Sequence, residues 1–191
     1  MTGRLDFGET RFACIAADPP WPETGGGGRG AQNHYDVQRV KDIPPIMRAA
    51  RDSSRQPLWL PAMDAHLYLW TTSTMLEEGL WVMRELAFRY VNVIPWVKDR
   101  IGIGQYFRGK HELLLFGVRG DGYAAKTERR DIANVIEAPV PSEHGNRIHS
   151  RKPPEAYELM ERRTIGPRLE LFARKPRKGW AVWGNEIGHL L

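Results

Sequence analysis

Hydrophobic and polar positions alternate along the chain in two rhythms. The uninterrupted apolar runs Phe12-Ala13-Cys14-Ile15-Ala16-Ala17 and Ala65-His66-Leu67-Tyr68-Leu69-Trp70-Thr71 read as strands buried on both faces. Residues 90–98, 112–119, 134–138, 168–174 and 180–186 supply five further strand patterns. Helical spacing separates them. Leu76, Leu80, Met83 and Ala87 recur on one face behind a Thr74/Glu77 capping box. Asp42-Ile43-Pro44-Pro45 reads as a cap with first-turn prolines and opens a helix through Arg51. Pro153 and Pro154 start another through Arg163, with Ala156, Leu159 and Met160 facing inward. Residues 52–65, 99–110, 120–133 and 145–152 read as connections. Strands separated by helices predict an α/β sandwich with a mostly parallel sheet, and the hairpin between residues 90 and 119 adds an antiparallel part. Residues 1–191 read as one domain.

The first strand ends in Asp18-Pro19-Pro20-Trp21. Two successive prolines cannot continue a ladder, because neither has a backbone donor and both fix φ. A carboxylate, two rigid carbonyl-bearing residues and an indole are therefore placed at the carboxyl end of a strand, where open α/β sheets bind ligands. That cluster suits methylation of an exocyclic amine on a base. An adenine amine is a poor nucleophile because its lone pair is delocalised into the ring. Asp18, with a carbonyl of Pro19 or Pro20, would accept both amine hydrogens and free the lone pair to attack an activated methyl. Trp21 offers a face on which the purine stacks.

Composition narrows the setting. The chain carries a formal charge of +5, compatible with a polyanionic partner. No apolar run approaches the length of a membrane helix and no signal-peptide pattern opens the chain, which points to an intracellular, cytoplasmic protein without a membrane partner. The single cysteine, Cys14, lies inside the first strand and reads as a small core residue rather than a nucleophile. Four successive glycines, 25–28, fit neither a P-loop nor a dinucleotide fingerprint; they read as a mobile loop placed to close over a substrate. Residues 99–110 mix glycine, aromatics and cations, with Arg100, Tyr106 and Arg108 suited to phosphate and base contact. Arg147, His149, Arg151 and Lys152 form a second basic patch ahead of the last helix. His144 and His149 lack the companions that a metal site needs, so no metal is expected.

The stretch Ala-Asp-Pro-Pro-Trp resembles the signature of the N6-adenine methyltransferases related to the catalytic subunit of the eukaryotic messenger-RNA adenosine methyltransferase, a family with small bacterial and phage members. Leu67-Tyr68-Leu69-Trp70, Ile94-Pro95-Trp96-Val97-Lys98, Gly109-Lys110-His111-Glu112, His149-Ser150-Arg151-Lys152-Pro153, Leu169-Glu170-Leu171-Phe172-Ala173-Arg174 and Trp180 through Gly184-Asn185 match in the family's order. The resemblance implies a Rossmann-like methyltransferase fold in the permuted order, with the tetrad ahead of a cofactor strand at residues 168–174. It implies S-adenosylmethionine as cofactor, with Lys110, Arg174, Asn185, Glu186 and Tyr35 as contacts. Pro176 stands where the eukaryotic enzyme has a histidine and Glu186 where it has a glutamine; Asp6 is the candidate for an upstream acidic contact. The implied reaction is methylation of adenine N6, on DNA by the compactness of the chain, with RNA as the alternative. A catalytically silent nucleic-acid-binding subunit is the remaining alternative, and the intact tetrad argues for activity. A homodimer or heterodimer is compatible with the small size.

Overall fold

The computed structural model describes residues 10–22, 39–102, 106–143, 146–147 and 151–184, with backbone alone at Glu143, Asn146 and Arg147. The glycine run and Tyr35 lie outside the described residues.

Seven strands form one sheet: β1 (Phe12–Ala17), β2 (Pro61–Thr71), β3 (Arg89–Val97), β4 (His111–Arg119), β5 (Ile136–Glu137), β8 (Arg168–Leu171) and β9 (Trp180–Trp183), in the order β5-β3-β4-β2-β1-β8-β9. Two short strands, β6 (Ser142–Glu143) and β7 (Asn146–Arg147), pair separately. The β1–β2, β1–β8, β8–β9 and β3–β5 pairings are parallel. Only β4 runs against its neighbours, pairing antiparallel with both β2 and β3. This is the expected α/β sandwich with its antiparallel hairpin.

Burial explains why the β1 run is continuous rather than alternating: all six of its residues are buried. Ile15, Ala17, Leu67 and Leu69 face a core shared with helices α1 (Ile43–Ala49) and α2 (Leu76–Glu85) through Met47, Val82 and Met83. Cys14, Ala16, Tyr68 and Trp70 face the other layer, where helix α3 (Pro154–Arg163) contributes Ala156, Tyr157 and Met160. With water on neither face, alternation has no physical basis. No helix among the described residues is long and apolar enough to cross a membrane.

Local departures from the sequence pattern have identifiable causes. The inward stripe of α2 is Gly79, Val82 and Met83, continued by Leu86, whereas Leu76 and Ala87 are exposed. Gly79 sets that stripe, because a Cβ there would lie 2.8 Å from Leu115 Cδ1, so the helix seats on the sheet at a position with no side chain. The capping box does not form: Met75 occupies the N-cap without a side-chain hydrogen bond, and Thr74 Oγ1 pairs with Thr72 Oγ1 at 3.0 Å. Strand β2 starts at Pro61 rather than Ala65, and the register irregularity between Phe12 and Cys14 absorbs the extra length. Strand β8 stops at Leu171, since Phe172 turns the chain with φ 61°.

The topology singles out one edge of the sheet. From β1 the chain reaches β2 on one side, while β8 returns to the other side, so the carboxyl end of β1 is a switch point between diverging connections. Because β4 is reversed, the β3–β4 connection also emerges at that edge. The ends of β8 and β9 are held close there: Ala173 N–H donates to Trp183 O at 2.8 Å, and a Cβ on Gly184 would fall 2.8 Å from Ala173 N and nearer still to its carbonyl oxygen. Gly184→Ala therefore has to displace backbone. A stability loss of about 1–3 kcal/mol in urea unfolding is expected, as for other overpacking changes; an unchanged midpoint would show that the turn relaxes freely.

Candidate active site

Asp18 follows β1 directly, its N–H donating to Leu171 O at 3.4 Å as the ladder with β8 ends. Pro19 is buried and Pro20 half-buried, so the chain leaves the sheet edge as a rigid segment. The Trp21 ring is buried, and its indole N–H donates to Trp70 O at 2.8 Å, at the end of β2. A buried indole needs a partner for its one donor, and the strand-end carbonyl supplies it. Trp21 thus anchors the tetrad to β2.

Lys152 is displaced from its expected place on a basic surface. Its side chain is 8% exposed, with Nζ 2.7 Å from Asp18 Oδ2 and 3.3 Å from Glu112 Oε2. Glu112 Oε1 in turn accepts from Lys98 Nζ at 2.6 Å. Two aromatic faces flank the cations: Lys152 Nζ lies 5.3 Å from the Trp70 ring centre, and Lys98 Nζ 4.9 Å from that of Trp96. The result is a chain of alternating charge, Lys98, Glu112, Lys152, Asp18, running from β3 to β1. Proline explains the approach of Lys152: Pro153, extended at φ −70° and ψ 147°, is the N-cap of α3, and that helix packs over Cys14 and Ala16.

The charges respond accordingly. Burial raises the Asp18 carboxyl above its ordinary value, with Lys152 and Arg174 opposing and Glu112 reinforcing. Burial would also raise Glu112, but Lys152 and Lys98 outweigh it and hold that carboxyl below its usual range. Burial disfavours the Lys152 ammonium, and the facing carboxylates Asp18 and Glu112 overcome this and raise it. Lys152 therefore stays charged at neutral pH. Cys14, next along the same strand, is fully buried, and burial pushes its thiol up to about 12, which suits a core residue and not a nucleophile.

A second carboxylate, not singled out from the sequence, stands beside Asp18. Glu170 on β8 pairs with Ala16 across the parallel ladder and accepts from Tyr157 Oη at 2.6 Å. Arg177 lies over the Tyr157 ring at 3.3 Å and within 3.6 Å of Glu170 Oε2. Burial raises the Glu170 carboxyl, and Asp18 adds to that. The available signal was a glutamate between two buried leucines of a core strand, a position that a carboxylate occupies only with partners.

The other expected site residues divide by location. Lys110 is exposed, and the hairpin extends past β3 and β4 through Lys98 N–H to Lys110 O at 2.8 Å and Gly102 N–H to Gly109 O at 2.6 Å. Beyond it Tyr106 is 92% exposed, Arg108 donates to Gly102 O at 3.0 Å, and Arg100 lies 3.4 Å from Asp99. Arg151 and Arg174 are half-buried, and Arg174 is close enough to Asp18 to lower its pKa. The side chain of Arg147, and His149, Asn185 and Glu186 altogether, lie outside the described residues. Thus the fold brings Asp18, Lys152 and Arg174 together, while Arg100, Tyr106, Arg108 and Lys110 sit on the hairpin above the same edge.

The MT-A70 family matches residues 12–186. A Medicago truncatula protein described as a putative N(6)-adenosine-methyltransferase MT-A70-like is 31% identical over 93% of this chain and 26% of its own length. The human N(6)-adenosine-methyltransferase catalytic subunit METTL3 is 29% identical over 95% of this chain and 29% of its own length. The Mycoplasma type II methyltransferase M.MunI is 25% identical over 93% of this chain but 78% of its own length. The chain spans about a quarter of the length of the plant relatives it matches.

The anchoring role of Trp21 is testable apart from any activity. Trp21→Phe keeps most of the ring and removes the donor to Trp70 O, leaving a buried carbonyl without that partner. A loss of about 1–3 kcal/mol in denaturant unfolding is expected; a variant as stable as the parent would remove the anchor.

Proposed function

The chain belongs to the MT-A70 family, and on that premise we propose that it methylates the N6 amine of adenine in DNA, with residues 1–191 acting as one catalytic domain. The observation that carries the reading is the carboxylate of Asp18, 2.7 Å from the Lys152 ammonium at the switch point of the sheet. The donor set there suits S-adenosylmethionine. Asp18, just past β1, and Glu170, on the adjacent parallel β8, are acceptors for a cationic, hydroxyl-bearing ligand, and Arg174 stands close by. Glu170 is thereby added to the proposed cofactor contacts Lys110, Arg174, Asn185, Glu186 and Tyr35. When bound, that cofactor supplies an electrophilic methyl on a sulfonium.

Asp18 accepts hydrogen from the adenine amine, and a carbonyl of Pro19 or Pro20 takes the second. This draws the lone pair out of the ring and directs it at the methyl. Transfer of the methyl would leave the positive charge on the methylated amine, beside Asp18. That amine then releases a proton, first to Asp18 and then to water. Burial of Asp18 matters because a carboxylate with a raised pKa is the better acceptor for that proton.

Polymer binding falls to the exposed hairpin above the site. Arg100 and Arg108 provide cations for phosphate, and Tyr106 provides a ring for an unpaired base; Arg151, with Arg147 and His149 from the sequence pattern, is proposed as a further contact. Duplex DNA requires the target to be flipped out, at a cost of a few kcal/mol. The match to most of the length of M.MunI favours DNA. A second reading, RNA, is supported by the likeness to METTL3 and to the Pyricularia oryzae protein described as N6-methyladenosine RNA methyltransferase MTA1.

Transfer of labelled methyl to duplex DNA, single-stranded DNA and RNA, with nucleoside digestion, tests the reading. N6-methyladenine is expected in DNA and reduced about 10²–10³-fold by Asp18→Ala; transfer confined to RNA would select the second reading, and none to any polymer would overturn both. The pH profile has a defined sign. Only ionised Asp18 accepts the amine hydrogens, so activity falls on acidification through its pKa, which burial places above the ordinary aspartate range. An acid limb at or below that ordinary range would contradict this role. Tyr106→Ala is expected to weaken polymer binding by about 1–3 kcal/mol in fluorescence titration, with cofactor binding unchanged.

A further inference from the structure

The hairpin between β3 and β4 carries an aromatic ring that the proposed reaction leaves unused. Phe107 is 90% exposed, beside Tyr106 at 92%. A phenyl ring has no polar tip to keep wet, unlike the tyrosine next to it, so its whole surface gains from a flat apolar partner. Its neighbour restricts what that partner is. Arg108 donates Nε to the neutral carbonyl of Gly102 at 3.0 Å and pairs with no carboxylate among the described residues, so a full charge stands beside the ring. A base stack lined by phosphates meets both demands. The arm that carries the ring is tied where it leaves the sheet. The last ladder pair, Val97 with His111, is followed by Lys98 N–H to Lys110 O at 2.8 Å and Gly102 N–H to Gly109 O at 2.6 Å. Phe107 stands four residues before His111, and four extended residues reach at most about 14 Å. The major groove is about 8.5 Å deep, so the ring has the reach to cross it from an anchored arm.

We propose that Phe107 is a wedge that enters the base stack of duplex DNA and fills the gap left when the target adenine turns out toward Asp18. The inference rests on the DNA reading of the proposed function. Asp18 sits at the sheet edge from which this hairpin projects, so an adenine that reaches it has left its stack. An unfilled gap collapses or takes the base back. An apolar ring between the neighbouring bases restores stacking on both sides and keeps the step open. Tyr106 is the poorer wedge, because its hydroxyl needs water or a polar partner, and it suits the unpaired base at the margin. Arg108, next in the chain, supplies the cation for a phosphate flanking the inserted ring. No bond is made or broken on insertion. Phe107 acts through the DNA and does not touch the reacting atoms, which makes it a positioning residue. A single strand has no gap to fill, so the wedge serves the duplex alone.

Fluorescence anisotropy at fixed salt reads insertion without methyl transfer. The full chain is titrated with a matched duplex, the same duplex carrying one abasic site, and one of its single strands. An abasic site offers a gap with no base to expel, so the parent is expected to bind it about tenfold more tightly than the matched duplex. Phe107→Ala is expected to lose most of that preference with single-strand affinity little changed, and Phe107→Trp to keep it. Because the ring is exposed, neither substitution removes a core contact. A parent with no preference for the abasic duplex, or a Phe107→Ala loss equal on all three ligands, would overturn the wedge. So would a dimer of the parent that Phe107→Ala dissolves in sedimentation, since the ring would then cover a second copy of the chain. These outcomes stand apart from the reaction. An abasic preference in a protein that methylates no DNA keeps the wedge and removes the DNA reading, whereas DNA methylation without that preference does the reverse.

Discussion

A carboxylate at the end of a strand buried on both faces stays ionised only if a cation accompanies it into the protein. The pairing of Asp18 with Lys152 answers that constraint, and much of the architecture is arranged to make it. Strand β1 brings Asp18 to the edge. Helix α3, packed across the back of β1, brings the residue before its proline start to the same point. Strand β4, reversed within the sheet, begins at that edge and delivers Glu112 as the balancing charge. Removing one member would leave another buried and uncompensated, so the four side chains Lys98, Glu112, Lys152 and Asp18 behave as a unit rather than as three separate ion pairs.

Two tryptophans, one on β2 and one on β3 with β4 between them, complete that frame. Trp70 receives the indole proton of Trp21 through its backbone and turns its own ring toward Lys152. Trp96, in edge contact with Trp70 at 6.1 Å, lies beneath Lys98 and donates its N–H to Ala138 O. Aromatic faces are weakly polar walls that tolerate a cation without competing for its protons. The carboxylates therefore decide where each ammonium donates, while the rings limit where it can go.

Most of the fold was legible because burial on both faces of a sheet writes itself as unbroken apolar runs, and the β1 and β2 runs do so plainly. The tetrad was legible because proline has few places in a strand. What escaped notice depended on contacts distant in the chain. The tie from the Trp21 N–H to Trp70 O spans 49 residues of chain, and nothing local announces it. Lys152 looked like one more cation in a basic segment, since nothing local reveals two carboxylates from β1 and β4 meeting it. Gly79 moved the stripe of α2 because a missing side chain leaves no hydrophobic mark. Glu170 was visible as an anomaly in β8, but its partners Tyr157 and Arg177 lie on other elements.

The reversed strand has a further consequence for how the molecule meets its medium. It places two populations of positive charge at one edge, a sequestered one at Lys98 and Lys152 and a solvent-facing one at Arg100, Arg108 and Lys110. Mobile ions screen the second over roughly 10 Å at ordinary ionic strength and scarcely reach the first. Rising salt therefore damps the outward field of the hairpin while the charge balance around Asp18 stays as it was. On the proposed function, attachment and chemistry are insulated from one another, although a single hairpin joins them.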